Sequence, residues 1–454
     1  MNLALPNKWE LCTFDDVCTP TEQVIPKEDT EFFYIDISSV DRISKKIISP
    51  QRIIGKDAPS RARKLIKTGD VIVSMTRPNL NAVALVGSEY DGQIASTGFE
   101  ILRSNGVDPR WIGYLVRTNE FIDAMTSLVQ GALYPAIRSK DVRAHQIPVA
   151  PLAEQRRIAD KLDTTLARVD ALNDRLARII PLLKRFRQSV LAAATSGRLT
   201  EDISNLFGKE KNNFWELKSV DSIADVIDPH PSHRTPPEVL GGVPYVSIGD
   251  IDEQGNIDFE KSRKVSPVVL EEHKSRYLIE NGDFIFGKIG TIGKPTKIPI
   301  NIEYTISANV ILIKPKKELV NPDYLRYFFS SMNFLEDIAK KSVATSQAAF
   351  GIKKMRSLQI KIPTLEEQTE IVRRVEILFA FADRLEARLQ SAQTAAERLT
   401  PALLAKAFRG ELVPQDPSDE PAAELLRRLR EARAADAASK PKRGRAAKAP
   451  TVSE

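Results

Sequence analysis

A chain of 454 residues, 42% hydrophobic and 28% charged, is longer than one hydrophobic core organises and points to two domains with connecting structure. Its 66 Lys and Arg against 60 Asp and Glu leave a net charge of +6, a modest bias toward a polyanionic partner. No apolar run approaches the ~20 residues of a membrane helix, and two cysteines with no apolar leader behind a basic cluster suggest a cytoplasmic setting without a membrane.

Residues 1–150 read as a first α+β domain. FFYIDI, GDVIVSM and FEILR are short apolar runs bounded by turn signals and predict strands; Pro109 to Met125 predicts a helix, and QIPVA a last strand. Between Arg42 and Lys67 stand Arg42, Lys45, Lys46, Arg52, Lys56, Arg61, Arg63, Lys64 and Lys67, against the single acid Asp57. That density suits backbone phosphates, the alternative being a solvated face. Arg77, Asn79 and Asn81 in TRPNLN follow the strand GDVIVSM, and Tyr134, Arg138 and Lys140 lie in ALYPAIRSKDV. Arg reads guanine and Asn reads adenine by paired hydrogen bonds in the major groove, so both loops are candidates for base contact.

Residues 151–200 differ in kind. Ile158, Leu162, Val169, Leu172, Leu176, Ile179, Leu183, Phe186 and Val190 fall at alternating spacings of three and four, with Thr165 the one interruption. Such heptads predict a long helix that buries a narrow seam against another helix. Pro181 is expected to remove one backbone bond and kink it. From Gln155 to Ala194 the rod would be ~60 Å long, on the order of two turns of DNA.

Residues 208–363 restate the first domain with PYVSI, GDFIFGK and VILIK as strands, Pro322 to Lys340 as helix and QIKIP as the last strand. Candidate DNA contacts here are His230, Ser232, His233 and Arg234 in DPHPSHRTPP, Lys288, Thr291 and Lys294 in GKIGTIGK, and Gln347, Lys353 and Lys354 in TSQAAFGIKKM. Residues 364–413 restate the rod: Ile371, Val375, Leu378, Ala382, Leu385, Leu389, Ala392, Ala396, Leu399 and Leu403 hold one register, with alanines that let the helices approach closely. Residues 414–454 begin with the polar break QDPSDEP, continue with a short amphipathic helix in AELLRRLREARAA, and end in a basic low-complexity tail. The tail reads as disordered, and either touches nucleic acid or keeps the chain soluble.

The restatement has a fixed offset. Gln155 in PLAEQRRI and Gln368 in TLEEQTEI are 213 residues apart, and so are Gly69-Asp70 and Gly282-Asp283, Pro109 and Pro322, and Gly197 and Gly410. A tandem duplication follows, giving two similar α+β domains whose two long helices pair antiparallel in an approximate two-fold arrangement. The frame repeats while the loop side chains differ, so the two copies would read different base sequences.

Catalytic motifs are missing from this reading. GKIGTIGK fails the phosphate-loop pattern, because five residues separate Gly287 from Gly293 and Pro295 stands where a hydroxyl ligand belongs. Cys12 and Cys18 lack zinc-ligand spacing, and of the four histidines, His145, His230, His233 and His273, the pair His230 and His233 could share a metal, a surface polar role being the plainer reading, so no metal site is expected. DPHP is not an amino-methyltransferase signature, and Glu272-x-Lys274 is too short a match to assign a nuclease.

The segment APSRARKLIKTGDVIVSMTRPNLNAVA, the two helix-entry motifs, and SGRL and RGELVPQDPSDEPAAELLRRLR at the helix ends closely resemble the specificity subunit, HsdS, of type I restriction-modification systems. The resemblance covers nearly the whole chain, twice over. It implies a non-catalytic subunit with target recognition domains at 1–150 and 208–363, each reading one half of a split double-stranded DNA sequence, and spacer helices at 151–200 and 364–413 that set the gap. It further implies two modification subunits, which carry S-adenosylmethionine and methylate adenine, and restriction subunits, which use ATP and Mg; none of these cofactors is held by this chain. Outer helix positions Arg156, Arg157, Arg373 and Arg374 are candidates for docking those partners, the plainer alternative being solvent-facing charge. Two other readings stay open: an enzyme fused to its own recognition domains, and a coiled-coil scaffold indifferent to DNA.

Overall fold

The computed structural model describes residues 5–129, 135–202, 215–230, 234–252, 255–289, 291–341 and 350–439. The chain forms two compact units, one of Met1–Arg175 with Ala392–Glu454 and one of Leu176–Ser391. Each holds one α+β domain together with stretches of both long helices.

In the first unit one sheet has the strand order Gln51–Ile54, Glu31–Ile35, Ile94–Ser96, Ala62–Leu65, with its middle pair parallel and Ile94 opposite Tyr34. A second, antiparallel sheet runs Cys18–Thr19, Phe99–Ser104, Val71–Ser74, Val83–Leu85. The second unit repeats the plan: Arg263–Val265, Val243–Val246, Thr305–Ile306 with Tyr245 parallel to Thr305, and Ala224–Ile227, Val310–Pro315, Phe284–Gly287, Gly293–Lys297. In each domain the first strand pairs with the last, Glu10–Thr13 with Gln146–Val149 and Glu216–Ser219 with Gln359–Ile362.

The VIV and FIF stretches that follow the repeated Gly-Asp are apolar at every position because each strand separates two cores. Val71 and Val73 face the helices that include Ile112 and Phe121, while Ile72 faces a second cluster with Ile35, Ala84 and Phe99. Phe284 and Phe286 likewise face Tyr324 and Phe329, and Ile285 faces Val246 and Tyr304. A strand covered on both sides loses the polar alternation of a half-exposed one.

The residues at the fixed offset are the joints of the frame. Gln155 and Gln368 are fully buried. Gln155 accepts the Asp108 N–H at 3.0 Å and donates to the Ala150 carbonyl at 2.7 Å; Gln368 accepts the Asn321 N–H at 2.7 Å and donates to the Pro363 carbonyl at 2.9 Å. One amide thus pins the base of a long helix to the N-cap of a helix inside its domain, where Pro109 or Pro322 takes the first helical position. Gly69 and Gly282 turn at φ +86° and +97°, and a Cβ there would lie 3.5 and 3.0 Å from the ring of Pro109 and Pro322. The adjoining aspartates are buried and paired, Asp70 with Arg103 at 2.8 Å and Asp283 with Lys314 at 2.6 Å. Glycine, aspartate and proline recur together because they meet at one corner.

The long helix Leu152–Thr195 is continuous, with Pro181 inside it. Its partner runs Leu365–Glu397, and a separate helix Leu399–Phe408 follows. In the first unit Ile158, Leu162 and Leu166 pack with Leu404 and Ala407; in the second, Leu183 packs with Ala382 and Leu389. Within the second unit Arg187 pairs with Asp383 and Glu386 while Arg374, earlier on its helix, pairs with Asp202, so the helices run antiparallel there. The predicted register needs two corrections. Leu166, not Thr165, fills the interrupted heptad, and Leu399 is 40% exposed while Leu404 is buried. Pro401 has no N–H to give the carbonyl of Glu397 and its ring crowds that carbonyl, so the helix breaks at Arg398 and resumes in a shifted phase. The single helices predicted from Pro109 and from Pro322 are likewise divided, into Pro109–Leu115 with Asn119–Ser127 and Pro322–Ser330 with Met332–Lys341. Thr118 stops the first because its hydroxyl caps the next helix at the Phe121 N–H.

The C-terminal segment belongs to the first unit. Helix Ala422–Ser439 buries Ala422, Leu425 and Leu426 in the core that holds Phe14, Val17 and Cys18. The Ala422 N–H donates to the Lys8 carbonyl at 3.0 Å, and Arg433 donates to the Cys18 carbonyl at 2.7 Å. The tail expected to be disordered, 440–454, lies outside the described residues.

Candidate nucleic-acid interface

Two candidate loops that are far apart in sequence are neighbours in each unit, held by the same backbone bond. In the first, the Ile137 N–H donates to the Met75 carbonyl at 2.8 Å and the Arg77 N–H to the Pro135 carbonyl at 2.8 Å, so TRPNLN lies against the stretch from Pro135. In the second, the Phe350 N–H donates to the Lys288 carbonyl at 2.8 Å, which sets GKIGTIGK beside IKKM. Met75 and Lys288, and Ile137 and Phe350, are again 213 positions apart. The crossing is part of the frame, and the loops extend outward from it.

Of the first-unit candidates, Arg61, Arg77, Asn79, Arg138 and Lys140 are exposed. Arg77 adopts a left-handed backbone at φ +49°, and Arg138 leans on Asp141 at 3.2 Å. Arg63 is half-buried and donates to its neighbour's carbonyl, that of Ala62, at 2.9 Å. Two candidates are internal. Lys64 is buried, giving its ammonium to the Phe99 carbonyl at 2.6 Å and to Glu100 at 3.1 Å. Asn81 is a latch: its amide donates to the Val116 carbonyl at 2.8 Å and its side-chain oxygen accepts from Lys45 at 2.8 Å. Burial, with the Arg117 charge nearby, pulls the Lys45 ammonium down to about 8. Tyr134 lies outside the described residues.

In the second unit Arg234, Thr291, Lys353 and Lys354 are exposed. Lys288 is buried and its ammonium sits 3.1 Å from both carboxylate oxygens of Asp228. Lys294, half-buried at φ +57°, donates to the Ile251 carbonyl at 2.6 Å. His230 is buried against His273, whose imidazole is pushed down to about 4 by burial, with the second ring adding to the effect. Ser232, His233 and Gln347 lie outside the described residues. Thus Lys64, Asn81, Lys288 and His230, nominated for DNA, make contacts inside the protein.

Beside these loops the second unit has an open cleft of about 540 Å³, lined by Thr235, Tyr245, Asp250, Arg263, Ile289 and Asn309 among others. Sequence reasoning missed it, because its walls come from five separated segments whose polar residues follow no spacing.

The docking candidates divide in the same way. Arg156 is exposed, and Arg373 is exposed and paired with Glu370 at 2.7 Å. Arg157 is bound to Asp419 through both nitrogens, at 3.1 and 2.6 Å, and fastens the C-terminal segment. Arg374 holds Glu370, Asp202 and the Leu199 carbonyl, bracing the end of the other long helix. Among the described residues no helix is long and apolar enough to cross a membrane.

A duplicated α+β frame that presents unlike polar loops and carries paired helices defines a two-module recognition protein. The chain belongs to the type I restriction modification DNA specificity domain family, whose model matches residues 6–180 and 213–392. Its function is that of a specificity subunit of a type I restriction-modification system. It is 32% identical to the EcoBI specificity subunit of Escherichia coli over 71% of this chain and 72% of that one. The crystal structure of the HsdS subunit from Thermoanaerobacter tengcongensis aligns with a TM-score of 0.62 at 28% identity, covering 90% of this chain and 98% of that one. A chain from a structure of complex assembly and conformational transition in the type I restriction-modification system aligns at 0.68, also 28% identical, covering 90% and 99%.

Proposed function

We propose that each unit reads one half of a split double-stranded DNA target through its pair of crossed loops, and that the long helices set the gap between the halves. The observation that carries this reading is the repeated backbone crossing that presents different side chains on one frame. Arg77, Asn79, Arg138 and Lys140 in the first unit, and Arg234, Thr291, Lys353 and Lys354 in the second, are the exposed side chains suited to base or phosphate contact. Arg61 and the other exposed cations of 42–67, with the half-buried Arg63 among them, would supply phosphate contacts, which bring affinity and salt sensitivity without sequence preference.

This chain performs no chemistry in this reading. S-adenosylmethionine belongs to two modification subunits that methylate adenines flipped from the duplex, and ATP and Mg to the restriction subunits. Arg156 and Arg373 are the docking candidates that still face outward. Methyl transfer to DNA by the purified chain alone, or cleavage with magnesium, would reject the division of labour.

The decisive experiment uses the assembled complex and maps methylated adenines across a genome. Asn79→Ala is expected to relax one position of one half-site by roughly 1–3 kcal/mol of discrimination while leaving the other half unchanged; equal loss in both halves would contradict the assignment. Inserting four residues into each long helix is expected to lengthen the tolerated gap and leave both half-site sequences as they were.

A further inference from the structure

In the second unit His230 Nδ1 and His273 Nε2 meet at 2.7 Å, with the rings 4.9 Å apart and tilted edge to face. The partners at the two ends fix the protons. His230 Nε2 lies 2.7 Å from the Arg234 carbonyl oxygen, which only accepts, so Nε2 carries the hydrogen and Nδ1, the ring's other nitrogen, is the acceptor. His273 therefore donates from Nε2, and its Nδ1 takes the Thr305 hydroxyl, with the Tyr277 hydroxyl at 3.4 Å. Hydroxyl, imidazole, imidazole and carbonyl form one directed chain.

The chain joins three elements. It ties His230 and Arg234 to helix Pro267–Lys274 and to strand Thr305–Ile306. Thr235, next after Arg234, is a wall of the open cleft, and so is Tyr245, whose ring meets His230 edge-on at 5.9 Å. A second strut stands beside it: Asp228 holds Lys288, and Ile289, which follows, also lines the cleft. Arg263, Asp250 and Asn309 line the cleft as well, a guanidinium, a carboxylate and an amide of the types that pair with base edges, the Asp250 carboxylate also taking the Ser247 N–H and the Asn309 oxygen the Ser307 hydroxyl.

The first unit has no second histidine with which to form such a pair. Its domain contains one histidine, His145, which stacks on Phe14 and meets Phe121 edge-on. Joints of the common frame, such as the two buried glutamines, occur in both units; the imidazole pair occurs where the loops diverge. It is therefore no part of the frame that both units share.

We propose that His230 and His273 are positioning residues for the second unit's reading surface, holding the cleft wall at Thr235 and Tyr245 where bases of its half-site are discriminated. This rests on the half-site reading above. The test uses the assembled complex with the wild-type chain, His273→Phe or His273→Gln, scoring adenine methylation on duplexes with single base changes in either half. The wild-type complex discriminates in both halves. His273→Phe is expected to lose tenfold or more of its discrimination in the second unit's half and none in the first's. His273→Gln, whose amide donates and accepts, recovers most of it. Should His273→Phe fail to fold, Thr305→Val removes only the terminal hydroxyl and is expected to give a smaller loss confined to the same half. A folded variant of either kind that discriminates as wild type, or loses both halves alike, overturns the proposal. A wild-type complex indifferent to base changes in both halves instead overturns the half-site reading beneath it.

Discussion

Gln155 and Gln368 each satisfy a half-buried N–H and a buried carbonyl that have different owners, a helix cap in the domain and the strand end before the rod. Removing either amide orphans both groups, at a cost of about 1–3 kcal/mol per group. Gln155→Ala and Gln368→Ala are each expected to destabilise their own unit by about 2–4 kcal/mol, measured by urea denaturation; a loss under ~1 kcal/mol would place the amides in water instead. The motif was legible in the sequence as a repeat, but spacing carries no information about which carbonyl an amide reaches. The same blindness affected the cations. Lys64 looks like its exposed neighbours Arg61 and Lys67, yet strand alternation puts it on the inner side with Ala62, and its counter-ion, Glu100, sits in the buried strand Phe99–Ser104. An acid inside FEILR was the available signal.

Helices and strands were easier to read than their interruptions. The paired seams follow from heptad periodicity, which survives because a narrow apolar stripe has to be sustained turn after turn. Local backbone chemistry broke the predicted elements: Thr118 as a cap, and Pro401 as a missing donor. The two prolines behave differently, since Pro181 leaves its helix in one piece while Pro401 marks a new one. The phase shift makes a sharp prediction. Leu404→Ala, at a 2% exposed position, is expected to cost about 2–5 kcal/mol, whereas Leu399→Ala, at 40%, should cost less than about 1 kcal/mol. Equal losses in chemical denaturation would restore the unbroken register that the sequence suggested.

For the molecule as a whole, the duplication foretold two domains, and the loop crossing shows why the copies can diverge at their tips without disturbing their frames. What the sequence did not reveal is that the last described helix completes the first unit. AELLRRLREARAA reads as amphipathic, but an apolar stripe does not name what covers it. The structure shows that Val17 and Cys18 lie beneath it, with Arg157 and Asp419 as the clasp. Truncation after residue 413 is expected to expose that core and lower the melting temperature of the first unit alone, seen in calorimetry as one shifted transition beside one unchanged; an unshifted profile would make the helix an ornament.

That arrangement bears on the order in which the molecule is made. Residues 176–391 are contiguous, so one unit has all its parts soon after they leave the ribosome, while the other, begun first, waits for residues 392–439. The unit at the amino-terminal side is thus the last to be finished, and a nascent chain stalled before Ala422 would carry an unsealed apolar face for chaperones to shelter.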